Sequence, residues 1–367
     1  MSGLPHLLRL IKASIANQGG VRHQSDCTAR SEAMNAKTIA LVLTLATSTA
    51  FAAGPKAVPC LSAPDARDCL AGVAIAALAT ENSPESRVDG TASLLSSLAK
   101  AGVRRDDLFS AAKGDEAAPI YSRWSLSVAR RTYALRHGID SAALESPQRI
   151  EAMAELLRGR RDGFERLMLA LDACEAREGE APDAIAKWEG TLDRLCRIDA
   201  SDSDAMEKGL PGLSALGATV VDAYNRDDDS LRRSLAASLG ALSEYEKALD
   251  RKMPSTEREA IRGMLALGHL FNATALAISG HGAASAKAIE ISLRHLAKAP
   301  TLGRSQEFQM ALTLASWIYA KAGMRDEALA ALRKSLARVD GRGVSGGDRA
   351  TAIGISIETL STLESAR

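Results

Sequence analysis

"FQMALTLASWIYAKAGMRDEALAALRKSLARVD", residues 308–340, holds two runs rich in Ala and Leu divided by A-K-A-G. Its apolar residues do not alternate in the two-residue period of a strand, so both runs read as helix. Small residues such as Ser316 and Ser335 let two antiparallel helices approach closely, and Gly323 turns the chain between them. One short segment therefore predicts a helix hairpin.

The same pattern extends outward. Ser83-Pro84 and Ser146-Pro147 are N-cap plus proline-first starts. The acids of "DDDS" (227–230) suit the positive end of a helix dipole better than a metal ion. "RHG" (136–138) and "SGHG" (279–282) read as glycine-containing turns. Between them apolar residues recur every three or four positions, as in Leu231, Leu235, Leu239 and Leu242. The chain of 367 residues is 46% hydrophobic but only 4% aromatic, much of it alanine. Alanine favours helix and buries little area per residue, so many thin helix contacts are expected rather than one thick core. The fold class is all-α.

The hairpin of 308–340 resembles a tetratricopeptide repeat, through Tyr319, Gly323, the triplet Asp326-Glu327-Ala328, and Leu332 and Leu336 on the returning helix. It departs from that pattern at Ala315 and at Asp340. Looser echoes occur at 91–113, 128–146 and 267–300. The resemblance implies stacked antiparallel hairpins forming a tetratricopeptide-like α-solenoid, because such hairpins need neighbours to bury their faces. It also implies a protein or peptide partner on the inner face of the first helix, which here carries Met310, Thr313, Trp317 and Lys321. Trp317 has a competing role, packing against the next hairpin.

"RVDGRGVSGGDRA" (338–350) satisfies both G-x-G-x-x-G and G-x-S-x-G. The first works only between a strand and a helix, and here a helix precedes it. The second needs an acid and then a histidine downstream, yet the last histidine is His295, upstream of Ser345. The segment reads as a flexible joint, with Asp348 placed to cap the following helix.

Met34 opens a short basic stretch with Lys37, an apolar run over Thr38–Ala50, and an A-x-A site at Ala50-Phe51-Ala52. These are the three parts of a secretory signal peptide. The organisation is therefore 1–33 an upstream extension, 34–52 the signal, 53–250 a helical domain with degenerate repeats, and 251–367 repeat-like helices. A rival reading makes residues 4–15 a targeting helix. Loss of residues 1–52 removes five Lys/Arg and two acids, leaving 41 basic and 43 acidic groups and a formal charge of −2. Such a charge gives no reason to expect nucleic acid as a partner, and no stable membrane insertion is expected after cleavage.

Four cysteines remain: Cys60, Cys69, Cys174 and Cys196. An even number in an exported chain suggests two disulfides, with three connectivities open and buried free thiols as the alternative. Cys60 and Cys69 close a short loop easily. A plain hairpin turning near Gly179–Pro182 would offset Cys174 from Cys196 by roughly 14 Å, so that pair requires a break, near Gly190 for instance, or another partner. His137, His269, His281 and His295 form no metal-ligand spacing, and no cofactor or metal is expected. Arg123, Arg130 and Arg131, with Tyr121 and Trp124, read as a solvated face over buried aromatics rather than an anion site. The expected protein is a periplasmic or secreted interaction scaffold without catalysis. The alternatives are an enzyme whose groups, His269 and His295 among them, converge on a concave face, or a structural subunit of an envelope complex.

Overall fold

Helix starts in this chain are set by side-chain caps. Asp65, Ser83, Ser146, Asp227 and Ser345 each accept a hydrogen bond from the backbone N–H three residues on, satisfying a donor the helix leaves free. The last of these corrects an expectation: Ser345 caps the final helix, and Asp348 lies in its first turn. Gly280 and Gly323 adopt φ of 78° and 74°, left-handed values that end one helix and release the chain into the next.

The computed structural model describes residues 55–140, 144–159, 163–178, 189–199, 202–204, 206, 212–299, 306–341 and 343–366. The extension and signal peptide expected over 1–52 lie outside these residues. Among those described there are fourteen α-helices, one 3-10 turn (Val58–Ser62) and no strand. The helices are α1 (Ala66–Ala79), α2 (Pro84–Ala101), α3 (Asp106–Ala111), α4 (Ile120–Arg136), α5 (Pro147–Arg158), α6 (Gly163–Glu178) and α7 (Glu189–Leu195). They continue as α8 (Leu213–Asn225), α9 (Asp228–Leu249), α10 (Ser255–Ile278), α11 (Gly282–Ala297), α12 (Gln306–Lys321), α13 (Arg325–Val339) and α14 (Gly346–Ser365). The protein is all-α.

Neighbouring helices pack side by side, α8 on α9, α10 on α11 and α12 on α13. The most extensive contact is not between neighbours. Helix α14 lies along α2 and α1, while its other side meets α12 and α13. A strictly sequential stack has contacts only between adjacent repeats; this one joins residues 261 positions apart, as in the 2.7 Å bond from Ser97 Oγ to Glu358 Oε1. The principal hydrophobic cluster accordingly runs from Ala57 to Leu363. Trp124, Tyr133 and Phe271 are fully buried anchors in it, each worth about 3–5 kcal/mol against alanine.

Helix α10 is 24 residues long and apolar enough, by length and composition, to cross a membrane, yet 72% of its most apolar window is buried inside the protein. Several hydroxyls serve as small, hydrogen-bonded spacers between helices. Thr313 meets Ser335, Ser316 meets Thr359 at 3.2 Å, and Ser238 donates to Asn272 Oδ1 at 2.8 Å.

Two disulfides staple the array, Cys60–Cys69 and Cys174–Cys196, with Cα separations of 5.4 and 4.6 Å. The offset expected for the second pair does not arise, because α7 covers only the seven residues Glu189–Leu195 instead of running from a turn near Gly179–Pro182. Gly190, the suggested break, lies in the first turn of α7. Of the leucine stripe on α9, Leu231 and Leu242 are buried and Leu239 is 53% exposed, since this outer helix buries one face only.

Candidate functional site

The face of α12 expected to meet a partner is covered. Met310, Thr313 and Trp317 are 2%, 0% and 5% exposed. The physical reason is that α10, α11, α13 and α14 all pack on α12. Thr313 spends its hydroxyl on the Gln309 carbonyl and on Ser335. Lys321 is exposed at the helix end, its ammonium 5.6 Å from the Trp317 ring centroid. The four residues share a helix, but three of them are core.

The glycine-rich joint is a different object from the flexible loop expected. Gly346 and Gly347 open α14, Gly346 pressing on the Ala77 carbonyl near the end of α1 and Gly347 on Ser86 at the start of α2. A Cβ on Gly347 would fall on the Ser86 carbonyl and hydroxyl, and one on Gly90 would lie 2.5 Å from the Gly347 Cα. Glycine is required here by close approach. Glu81 fills the anion place at the helix N-terminus, its Oε2 accepting from the Gly346 N–H at 2.6 Å and the Gly347 N–H at 3.4 Å. Its Oε1 accepts from the Ser83 N–H at 2.8 Å, so one carboxylate joins the starts of two helices. Burial works against the charge, but the Ser83 and Gly346 N–H groups and the Ser86 hydroxyl outweigh it and hold Glu81 below the ordinary glutamate value. Ser345 Oγ accepts from the Asp348 N–H and meets Ser86 Oγ at 3.2 Å. It is a cap, with no imidazole among those partners.

The other polar groups singled out in the sequence are also structural. Arg131 is buried and donates to the Glu145 carbonyl, Arg130 lies 5.5 Å over the Phe109 ring, and the Tyr121 hydroxyl donates to Asp172. This face of α4 is more buried than the solvated surface expected, because α2, α5 and α6 all pack on the helix. Lys100 Nζ reaches Glu175 Oε1 at 2.6 Å in the interior. Burial opposes its charge, yet the Glu175 and Glu358 carboxylates drive it above the usual lysine value.

One group of residues is arranged otherwise. Helices α9, α10 and α11 bring together Glu246, His269 and His295, whose ligand atoms all lie within 4.8 Å of one another. The two imidazole rings are parallel within 3° at 6.0 Å, and His269 Nε2 is 3.9 Å from Glu246 Oε1. Two polar ties hold the three helices around them. Ser238 links α9 to Asn272 on α10, and Ser292 of α11 donates to the Ala266 carbonyl of α10 at 2.7 Å. Gly268 leaves room for Leu242, which lets α9 and α10 close beside His269.

Buried His269 Nε2 and His295 Nδ1 have no hydrogen-bond partner. Burial lowers both histidines below the usual value, with the second ring adding to the effect on His295. Two neutral imidazoles and an exposed carboxylate can hold a metal ion. Among the described residues this is the cluster of three or more such groups that qualifies. The sequence reading named both histidines but missed Glu246; no spacing pattern connects it to residues 23 and 49 positions further on. Among known proteins, no family model matches the chain, no curated protein matches it, and no solved structure matches it.

Proposed function

We propose that the protein is an exported, periplasmic or secreted interaction scaffold that binds a protein or peptide partner and turns over no substrate. The observation that carries the reading is the α12–α13 hairpin. Its left-handed Gly323, its close Thr313–Ser335 contact and its buried Ala328 agree with the repeat it resembles, a type of unit that serves recognition. Because α14 and its neighbours occupy the inner face, the partner is met on outward helix surfaces, where Leu239 and Lys321 are exposed. The two disulfides suit an oxidising compartment, and the signal-like segment from Met34 supplies the route there.

Two measurements test this. Intact mass of the protein from the envelope fraction of its host should give a chain beginning at Ala53, with four cysteines alkylated only after reduction. Photo-crosslinkers placed in the cell at Leu239, Lys321 and Lys334 should give discrete adducts concentrated at some of these positions. A chain starting at Met1 with free thiols would overturn export, and a folded protein giving no adduct at any position would overturn the scaffold. A second reading, metal-dependent chemistry, is favoured by the convergence of Glu246, His269 and His295.

A further inference from the structure

Three ligands bonded to one zinc ion at about 2.1 Å in a tetrahedral site lie about 3.4 Å from one another. Glu246 and His269 approach that spacing at 3.9 Å, and the whole triad lies within 4.8 Å. Closing it requires a shift of about 1–1.5 Å and a turn of the parallel imidazole rings so that both lone pairs meet one ion. The Glu246 side chain, 55% exposed, has room to swing toward them.

The second observation is independent of spacing. His269 is 93% buried, yet its Nε2 has no hydrogen-bond partner, and neither has the buried Nδ1 of His295. An unsatisfied buried polar atom costs about 1–3 kcal/mol; other such atoms occur among the described residues, Trp124 Nε1 and Thr274 Oγ1 for example, so it is the pairing of these two beside a carboxylate that points to a ligand. Two on facing rings, beside a carboxylate, form an acceptor set that lacks its cation. We propose that Glu246, His269 and His295 bind one divalent transition-metal ion of the zinc class, with a further coordination position open to solvent beside Glu246.

The donor set fixes the class of ion. Imidazole nitrogen suits zinc, copper, nickel and cobalt, whereas calcium and magnesium take oxygen ligands. Arg262 and Lys298 lie near His295, and their positive charges act on the ring. They disfavour a hard ion held by charge alone and leave nitrogen bonding as the main attraction. The thiols offer no rival site, because all four described cysteines are in disulfides. Two histidines and a glutamate with an open position is also an arrangement that permits metal-assisted hydrolysis.

The test is calorimetric titration of the full, disulfide-bonded protein with zinc chloride, paired with the visible spectrum of the cobalt(II) form. One equivalent is expected to bind, and cobalt is expected to show ligand-field bands of a low-coordinate nitrogen site. Glu246→Gln and His295→Ala should each weaken zinc at least about tenfold, with helix content unchanged by circular dichroism. Glu246→Gln guards the test against misfolding, since that side chain faces solvent. Absence of a one-equivalent site, or unchanged affinity in either folded variant, would overturn the proposal. Neither result depends on whether the protein is exported or binds a partner.

Discussion

The junction of α14 with α2 and the meeting point of α9, α10 and α11 are both places where helices press together around polar groups, and they settle those groups in opposite ways. At the junction every carboxylate oxygen of Glu81 is used, by the Ser83, Gly346 and Gly347 N–H groups. At the meeting point two ring nitrogens are buried and unused. A completed set of hydrogen bonds has no capacity left for a ligand, and its geometry is explained by folding. An incomplete set costs stability and is explained by something that completes it. Chemistry-like motifs and chemistry-ready atoms are thus in different parts of this molecule.

Substitutions at the two places should part company sharply. Gly347→Ala forces a methyl group into the Ser86 backbone and should cost about 3 kcal/mol by urea unfolding. The same change at Gly240, on the open side of α9 with nothing within 4 Å, should instead stabilise by about 0.5–1 kcal/mol. Equal effects at the two glycines would erase the contrast.

Glu81→Gln comes next, removing the charge that two helix starts share, at a cost of about 1 kcal/mol. Because folding lowers the Glu81 value, its contribution is present above the unfolded carboxylate range. It fades as pH falls through the lowered folded value. The wild-type protein should therefore lose stability over that acidic interval more than the Gln variant does. Parallel pH profiles would show that the junction does not rely on the charge.

The smallest effect is expected at the orphaned ring. His269→Leu removes a buried nitrogen without a partner but also replaces a packed ring by a differently shaped side chain, so in metal-free buffer the gain and the loss should nearly cancel, leaving a change of less than about 1 kcal/mol. A large loss by thermal melting in chelator would mean that the imidazole already has a structural partner.

The helices were legible because their signals are local. Ser83, Ser146 and Asp227 cap where their sequences say they should, and Gly280 and Gly323 turn where predicted. What lies between helices was not legible. Burial of Trp317 follows from α14 folding back over α12, and no residue near 317 announces that. Gly346 and Gly347 look like a loop because glycine marks both freedom and close approach, and only their neighbours across the contact, Ala77 and Glu81 for the first and Ser86 for the second, distinguish the two. The triad of 246, 269 and 295 comes from lateral packing of three helices, which has no period along the chain.

The return of α14 onto α2 sets the order in which the molecule can become itself. The apolar face of α2 is covered by a helix that the ribosome makes 261 residues later, at the Ser97–Glu358 contact. Until then α1 and α2 have only partial shelter, and closing so long a loop is slow. The Cys60–Cys69 link and the capture of the Ala57 and Val58 N–H groups by Asp340 bracket this wait. The first can form early and locally, and the second only after α13 has been made. A chain that stops short of α14 would leave the α2 seam uncovered, so α1 and α2 reach their native packing only when the last helix is in place.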